Sequence, residues 1–246
     1  MITSNHVSHI GIVAGTADGA ALCYRTLCHE AERLTGRHAH PEITMHALPL
    51  EAYLNSIDAE DWVGVAALMS RSASVLAQAG AELIICPNNT LHRAFEFVTS
   101  SVPWLHIAAA VAAEAAYSNY RRLGLLGTQA VMQGTVYQPV LEPQGIEVLL
   151  PEASEQRLLD RIIRTDLIRG HYPRASRARV ADIVSSIAAR GADAVILGCT
   201  ELPLLLEDEK PVLPMLDSTR ILAAAALHRA VPRMAGTAHP LVFTTN

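Results

Sequence analysis

Apolar runs of strand length alternate with stretches of helical periodicity along most of this chain, and this alternation limits the possible folds. Ala- and Leu-rich stretches between the runs repeat their apolar residues at helical spacing, as over Trp62–Gln78 and 176–190. Strands separated by helices are typical of crossover connections in a parallel sheet. The pattern predicts an α/β protein whose strands cover 9–13, 43–47, 83–86, 104–107, 122–126, 147–150, 194–197 and 212–215.

The chain also carries a weak internal repeat. The segment GAELIICPNNT at 80–90 corresponds to GADAVILGCTE at 191–201, and each begins with a glycine that follows a helical run. A glycine in that position is a common end of a helix, so Gly80 and Gly191 predict helix ends before the next strands.

The repeat aligns Asn88 with Cys199. We therefore expect two similar lobes related by a pseudo-twofold axis, with the active site in the cleft between them. Lobe one is predicted to hold residues 1–112 and 218–246, and lobe two residues 113–217. The size of the chain is sufficient for two small lobes with hydrophobic cores.

Charge and hydropathy exclude several classes of function. The net charge is -5 with a pI near 6.1, and no segment concentrates Lys or Arg, so nucleic-acid binding is not expected. The N-terminus lacks the pattern of a signal peptide, and the apolar run at 107–116 is too short to span a bilayer. We expect a cytoplasmic protein that does not bind membranes.

Cysteine and histidine spacing argues against a metal site. The eleven histidines form no paired ligand motif, and the cysteines do not match a zinc-ribbon spacing. A cytoplasmic location predicts reduced thiols that are mostly small core residues. A catalytic cysteine therefore needs special context among Cys23, Cys28, Cys86 and Cys199.

Glycine- and hydroxyl-containing loops follow four of the predicted strands. In parallel α/β sheets, ligands bind at the C-terminal ends of strands, where backbone N–H groups are able to hold an anion. One such loop is typical of an ordinary helix cap, whereas four in matched pairs favour a carboxylate-binding cleft. The loops cover 14–19, 87–92, 127–132 and 198–202.

The most specific segment is GCTELP at 198–203. A thiol on a tight turn from strand to helix faces oriented N–H groups, which predicts a lowered pKa for Cys199. Thr200 is placed to cap the helix or to hold a substrate carboxylate. Glu201 is interpreted as compensation of the helix dipole, with a catalytic role as the less favoured alternative.

Several segments resemble the aspartate/glutamate racemase superfamily in order and spacing over nearly the whole chain. They are GIVAGT at 11–16, NNTLH at 88–92, GLLGTQAVM at 124–132, Tyr137, ILGCTELPLLL at 196–206 and LDSTR at 216–220. The resemblance implies an isomerase of two α/β lobes that uses no pyridoxal phosphate or other cofactor. It also implies a small amino-acid or carboxylate substrate and a homodimer or higher homo-oligomer.

In that family two cysteines flank the substrate α-carbon, and one removes the proton that the other replaces on the opposite face. Cys199 matches the second cysteine. The resemblance and the loop pattern together predict Cys199, Asn88 and His92 as catalytic residues. The predicted substrate-binding residues are Gly15, Thr16, Asn89, Thr90, Thr128 and Thr200.

The sequence departs from the family pattern at several positions. Asn88 stands where the first cysteine is usual, and an amide has no useful pKa for proton transfer. Val131 and Leu222 replace a common threonine and histidine. No arginine near residue 48 is available for a distal carboxylate, and Arg164 and Arg169 are alternatives that also fit a solvated helix face.

The second proton-transfer group therefore stays open among Cys86, His92, water or no group at all, with His46 as a weaker candidate. The leading hypothesis is a cofactor-independent amino-acid racemase or epimerase. One alternative is a single-cysteine decarboxylase or isomerase of a small mono- or dicarboxylic acid, in which Cys199 delivers the only proton. A second alternative is a carboxylate-binding protein without catalytic activity.

Overall fold

The computed structural model describes residues 6–207, 210 and 212–232 of the chain. The strands are β1 (Ile10–Ala14), β2 (Ile43–Ala47), β3 (Leu83–Ile85), β4 (Trp104–Leu105), β5 (Arg122–Gly127), β6 (Glu147–Leu149), β7 (Ala194–Gly198) and β8 (Met215–Asp217). The α-helices are α1 (Ala17–Thr35), α2 (Leu50–Asp58), α3 (Trp62–Gln78), α4 (Ile107–Tyr117), α5 (Gln129–Met132), α6 (Gln138–Leu141), α7 (Ala153–Thr165), α8 (Arg174–Ala189), α9 (Leu202–Leu205) and α10 (Ser218–Ala230). Short 3-10 helices cover Thr90–Phe97, Glu142–Gln144 and Leu167–Arg169.

The described chain forms two compact units. The second unit consists of Asn88–Arg93 and Ile107–Ser218, and the other described residues form the first. Contacts thus group 88–93 and 107–112 with the second unit. The lobe boundaries given by the sequence repeat stay a prediction.

Each unit contains a parallel sheet among its described residues. The strand order is β2-β1-β3-β4 in the first unit and β6-β5-β7-β8 in the second. Helices α1 and α3 contact β1, while α7 and α8 contact β5. The predicted α/β class with parallel sheets and flanking helices is confirmed.

Burial explains the composition of the central strands. All five residues of β1 and all five of β7 are buried, as expected for parallel strands covered on both faces. Each fully buried Ile, Leu or Val side chain contributes about 1.5–3 kcal/mol relative to an exposed one. Gly80 and Gly191 follow their helices with φ of 93° and 86°, a conformation that glycine adopts without strain, and this confirms both predicted helix ends.

The strand pair β1–β3 of the first sheet and the strand pair β5–β7 of the second sheet have corresponding residue registers. Gly11 pairs with Ile84 in the first sheet, and Gly124 pairs with Val195 in the second. Ile84 and Val195 lie in the two segments that the sequence repeat aligns, 80–90 and 191–201. The repeat at the level of sequence is therefore also a repeat of strand order and hydrogen-bond register.

Continuing this register beyond β3 and β7 makes Asn88 the counterpart of Cys199. Ile84 corresponds to Val195 through the paired strands, and both Asn88 and Cys199 lie four residues farther along the chain. The alignment of the amide with the thiol thus has a structural basis as well as a sequence basis.

The last predicted strand is displaced along the chain. The apolar pattern predicted a strand over 212–215, whereas β8 covers Met215–Asp217. Pro214 has no N–H group to donate, and its carbonyl accepts from the Val195 N–H at the point where pairing begins. Val212 is 64% exposed, so its apolar side chain does not belong to the core.

Among the described residues, no helix has the length and apolar character needed to cross a bilayer. The apolar run at 107–116 is part of α4. That helix contains Ile107–Tyr117 and includes Glu114.

The stability of the fold is expected to depend on pH through His106, which follows β4 and contacts the Phe95 ring edge-on with centroids 4.8 Å apart. Burial lowers the pKa of His106 from 6.5 to about 4. The unfolded chain therefore takes up this proton first as pH falls. The free energy of unfolding should decrease between the two pKa values, by up to about 3 kcal/mol.

Urea unfolding of the wild type and of His106→Asn at about pH 7 and about pH 4.5 measures this contribution. The variant should lose less stability on acidification than the wild type, because its side chain does not titrate in this range. His171→Asn, at an exposed position, is the matched control and should behave as the wild type. Equal acid sensitivity of the wild type and His106→Asn would contradict the prediction.

Candidate active site

The Cys199 thiol lies immediately after β7, on the turn that leads into α9. Cys199 is 7% exposed, and the Cys199 backbone carbonyl accepts a hydrogen bond from the Leu202 N–H at 3.2 Å. Glu201 is the N-cap residue of α9, but its side chain does not cap the helix. The turn therefore leaves the Glu201 carboxylate available for interactions with its neighbours.

Glu201 instead binds the two residues before it. Cys199 Sγ donates to Glu201 Oε2 at 3.1 Å, and Thr200 Oγ1 donates to the same oxygen at 2.9 Å. Glu201 is only 2% exposed, and its Oε1 atom is buried without a hydrogen-bond partner in the described part of the chain. A buried thiol and a buried carboxylate thus form a hydrogen-bonded pair.

This environment raises the pKa of Cys199 well above its ordinary value. Burial is the largest cause, and the Glu201 carboxylate raises the pKa further because a thiolate would lie beside a negative charge. The N–H groups of Glu201 and Leu202 act in the opposite direction but do not outweigh burial. The prediction of a lowered pKa at this turn was wrong, although the oriented N–H groups that motivated it are present.

Two glycines allow the strand ends beside Cys199 to approach closely. Gly127 and Gly198 pair with each other at the ends of β5 and β7. A Cβ atom added to Gly127 would lie 3.0 Å from the Gly198 carbonyl oxygen and 3.1 Å from Val131 Cγ1. A Cβ atom added to Gly198 would lie 2.8 Å from the Leu126 carbonyl oxygen and 3.3 Å from Val131 Cγ1. Val131 therefore fills the space above both glycines, which gives an apolar packing role to the position where the family often has threonine.

The segment at 88–93 supplies further polar side chains in the same unit. Asn88 is half-buried, and its Oδ1 accepts from the Leu91 N–H at 3.2 Å. Thr90 Oγ1 lies 3.2 Å from Thr128 Oγ1, so these two predicted substrate-binding hydroxyls contact each other. Thr128 also caps α5 by accepting from the Val131 N–H at 3.3 Å.

Asn89 belongs to a buried chain of hydrogen bonds. Tyr137 Oη donates to Asn89 Oδ1 at 2.6 Å, Asn89 Nδ2 donates to Ser218 Oγ at 3.0 Å, and Ser218 Oγ donates to the Leu197 carbonyl at 2.7 Å. Asn89 is 2% exposed, and Tyr137 and Ser218 are fully buried. Burial raises the pKa of Tyr137, which keeps its hydroxyl protonated and able to donate. Both ends of the Asn89 amide thus have protein partners.

The comparisons with known proteins assign the family. The Asp/Glu/Hydantoin racemase family model matches residues 15–226. The chain belongs to this family. An aspartate racemase homologue from Pyrococcus horikoshii OT3 is 31% identical, with a TM-score of 0.75 and coverage of 91% of this chain and 99% of that chain. A candidate Asp/Glu racemase from Yersinia pestis is 29% identical with a TM-score of 0.81 and the same coverage.

Among curated proteins, the broad specificity amino-acid racemase RacX of Bacillus subtilis (strain 168) is 27% identical over 154 residues. That match covers 62% of this chain and 66% of RacX, slightly less than two thirds of the relative's length. The relatives are named racemases, which are isomerases. The predicted resemblance to the aspartate/glutamate racemase superfamily, and hence to a family of isomerases, is confirmed.

Two predicted residues of this racemase-family chain lie in the first unit. Thr16 is the N-cap residue of α1, and its carbonyl accepts from the Ala20 N–H at 3.1 Å. Thr16 is 9% exposed and follows Gly15 directly. The roles of Gly15 and Thr16 in substrate binding stay predictions.

The candidates for a second proton-transfer group have different settings. Cys86 belongs to the first unit and is fully buried, whereas His92 belongs to the second unit and is 3% exposed. His46, the weaker candidate, has its Nδ1 atom 3.0 Å from Ser72 Oγ. His92 is thus the member of this group that shares a unit with Cys199.

The arginines considered for a distal carboxylate are both exposed. Arg164 Nε lies 3.3 Å from Asp160 Oδ2, an i,i+4 ion pair on α7. The other oxygen of Asp160 accepts from the Gln129 N–H at 2.9 Å, next to Thr128. Arg169 follows in the next 3-10 helix, and both arginines fit the interpretation as parts of a solvated face.

The sequence interpretation missed the role of Ser218 and the pairing of Glu201 with Cys199. Ser218 lies within LDSTR, which supported the family resemblance, but a serine at a helix start is typical of an ordinary cap. Within the described chain, no group of three or more His, Cys, Asp and Glu side chains is placed to hold a metal ion.

Proposed function

We propose that this protein is a cofactor-independent amino-acid racemase or epimerase in which Cys199 is an acid/base group. The observation that carries the proposal is the hydrogen bond from Cys199 Sγ to Glu201 Oε2, at the C-terminal end of β7. Ligands of parallel α/β sheets bind at such strand ends. The names of RacX and of the Pyrococcus horikoshii homologue support an amino acid as substrate.

In the proposed reaction, Cys199 first passes its proton to Glu201 Oε2. The pair carries one negative charge before and after this transfer, so the buried site gains no further charge. The thiolate then takes the α-proton, and the electron pair of the broken C–H bond moves into the carboxylate as an enediolate. A proton delivered to the opposite face by water or by His92 gives the other enantiomer. The proton held by Glu201 then passes through solvent to that donor, so that the Cys199–Glu201 pair again carries one negative charge.

Stabilisation of the enediolate is the main energetic requirement, because an amino-acid α-proton is only weakly acidic. Preorganised donors in a site without water are the largest contribution to such stabilisation. We assign this role to the Asn88 amide and to the hydroxyls of Thr90 and Thr128. Asn88 is thus a hydrogen-bond donor to the enediolate. His92 is the preferred candidate for the group that returns a proton to the α-carbon on the face opposite Cys199.

Thr200 and Asn89 receive different roles in this proposal from those predicted by sequence. The Thr200 hydroxyl donates to Glu201 and is buried, so we assign it to holding the carboxylate beside the thiol. The Asn89 side chain is engaged with Tyr137 and Ser218, so any contact of Asn89 with substrate is assigned to its backbone.

Exchange of the α-proton in deuterated water tests the proposal. We expect the purified protein to incorporate deuterium at the α-carbon of at least one amino acid and to generate its other enantiomer, as followed by NMR and chiral chromatography. Single enantiomers of the amino acids should be incubated in parallel with the wild type and with Cys199→Ser. Failure of every amino acid to exchange would overturn the racemase assignment.

A second candidate function is a decarboxylase or isomerase of a small dicarboxylic acid. The pairing register favours a decarboxylase, because it makes the Asn88 amide the counterpart of Cys199. Of these two positions, only Cys199 is then able to deliver a proton. A decarboxylase needs a single proton donor after CO₂ has left. Release of CO₂ from malonate-type substrates, with Cys199→Ser as control, distinguishes it from racemisation.

A carboxylate-binding protein without activity is the third candidate. The raised pKa of Cys199 makes slow alkylation of the ligand-free protein an expectation for an enzyme and for a binding protein alike, so the alkylation rate does not distinguish them. A thermal-shift screen of carboxylates measures binding in either case, because a ligand of the native state raises apparent stability. We also propose a cytoplasmic homodimer or higher homo-oligomer, which light scattering tests for the oligomeric state.

A further inference from the structure

The buried hydrogen-bond chain Tyr137–Asn89–Ser218–Leu197 has one possible direction. The Leu197 carbonyl only accepts, so the single proton of the Ser218 hydroxyl goes to it. Ser218 Oγ must then accept from the Asn89 amide nitrogen, which places the amide oxygen toward Tyr137. Tyr137 donates to that oxygen at 2.6 Å, and the chain is satisfied at every link.

This chain connects parts of the second unit that are far apart in sequence. Asn89 lies in the 88–93 segment, Tyr137 precedes α6, Ser218 begins α10, and Leu197 lies in β7 two residues before Cys199. The side chains of Asn89, Tyr137 and Ser218 are at most 2% exposed. Their hydrogen bonds are therefore protected from competition with water, and loss of one partner leaves a buried polar group unsatisfied.

Asn89 also separates two residues with proposed contacts to the substrate. Asn88 and Thr90 are its chain neighbours, and both are half-buried while Asn89 is buried. A fixed Asn89 side chain limits the backbone rotations of both neighbours. The chain of hydrogen bonds thus sets the positions of Asn88 and Thr90 relative to the strand that ends at the Cys199 turn.

We propose that Tyr137 and Ser218 are positioning residues that anchor the 88–93 segment to the end of β7 and hold Asn88 and Thr90 for catalysis. The catalytic part of this inference rests on the proposed racemase function. Neither residue needs to touch the substrate, because each acts through Asn89. Displacement of a reacting group by about 1 Å is sufficient to lower a rate by about 10²-fold.

Tyr137→Phe tests the anchor because it removes one hydroxyl and keeps the ring. Ser218→Ala removes the middle of the chain, and Ser218→Thr keeps a hydroxyl as the conservative variant. Tyr117→Phe is the matched control, since Tyr117 is 49% exposed and lies in the same unit. The first measurement is backbone hydrogen exchange by mass spectrometry, which requires no substrate.

We expect Tyr137→Phe and Ser218→Ala to accelerate exchange in peptides covering 88–93 by about tenfold or more, with α8 unchanged. Tyr117→Phe should exchange as the wild type, and Ser218→Thr should be closer to the wild type than Ser218→Ala. In Tyr137→Phe, kcat should fall about tenfold with a smaller change in KM, while the rate of Cys199 alkylation stays the same.

Unchanged exchange at 88–93 in both Tyr137→Phe and Ser218→Ala would overturn the inference. Faster exchange with wild-type kcat would overturn its catalytic part. Faster exchange in a protein whose wild type racemises no amino acid supports the anchor and overturns the racemase assignment, so the two failures are distinguishable. If kcat falls no more in Tyr137→Phe than in Tyr117→Phe, the catalytic part of the inference is also overturned.

Discussion

Replacing Cys199 by alanine is expected to lower the rate of α-proton exchange by about 10³-fold, within the range that positioned acid–base groups contribute to catalysis. In the proposed reaction the Cys199 thiolate takes the α-proton, and alanine has no group that accepts a proton. The rate is measured from the loss of the α-proton signal in deuterated water, with the amino acid identified by the substrate screen. Substrate binding should persist, because the proposed carboxylate donors remain in place.

Cys28→Ala is the control for this experiment. Cys28 lies in α1 of the first unit and is partly exposed, so the same substitution there should leave exchange unchanged. Exchange by Cys199→Ala at the wild-type rate would remove Cys199 from the mechanism. The proposal would then have to assign the proton transfer to another group, such as His92.

Replacing Glu201 by glutamine is expected to make Cys199 more reactive and the enzyme slower. The Glu201 carboxylate raises the pKa of Cys199, so a neutral amide at this position lowers that pKa and increases the thiolate fraction. At about pH 8 the thiolate fraction should rise about tenfold for each unit by which the pKa falls. Alkylation by iodoacetamide should then accelerate about threefold per unit, because a less basic thiolate is a weaker nucleophile. Racemisation should nevertheless fall by about 10²-fold, because the amide does not accept the thiol proton.

The opposite signs of these two effects make the experiment decisive. A purely structural role of Glu201 would lower activity without increasing thiol reactivity, and unfolding would increase the reactivity of the other cysteines as well. Glu207→Gln, at an exposed position shortly after α9, removes the same charge and should change neither rate. Slower alkylation in Glu201→Gln would contradict the assigned cause of the raised pKa of Cys199.

Much of the fold was predictable because local patterns and core packing agree. Apolar runs of strand length predicted the central strands, and the two helix-ending glycines adopt the positive φ that such ends require. The displaced strand is the informative exception. Apolar residues at 212–214 suggested an earlier start, but pairing begins only beyond Pro214, at Met215.

The candidate site was predictable in its residues but not in its electrostatics. The GCTE motif identifies Cys199 as the candidate thiol, and a turn after a strand predicts the N–H groups near it. Whether those N–H groups determine the pKa of Cys199 depends on how deeply the thiol is buried and on where the Glu201 side chain points. Neither quantity follows from local sequence, and both raise the pKa of Cys199.

The sequence by itself determined the α/β class, the internal repeat, the family and the choice of Cys199 as the candidate thiol, since all of these depend on local periodicity and on motifs in chain order. The tertiary structure decided which side chains form hydrogen bonds with one another. Tyr137, Asn89 and Ser218 are separated by 48 to 129 positions along the chain, yet they form one buried hydrogen-bond chain. Such contacts depend on distance and burial in three dimensions. For Cys199 the same reason applies, because its pKa is set by desolvation and by the orientation of a neighbouring carboxylate.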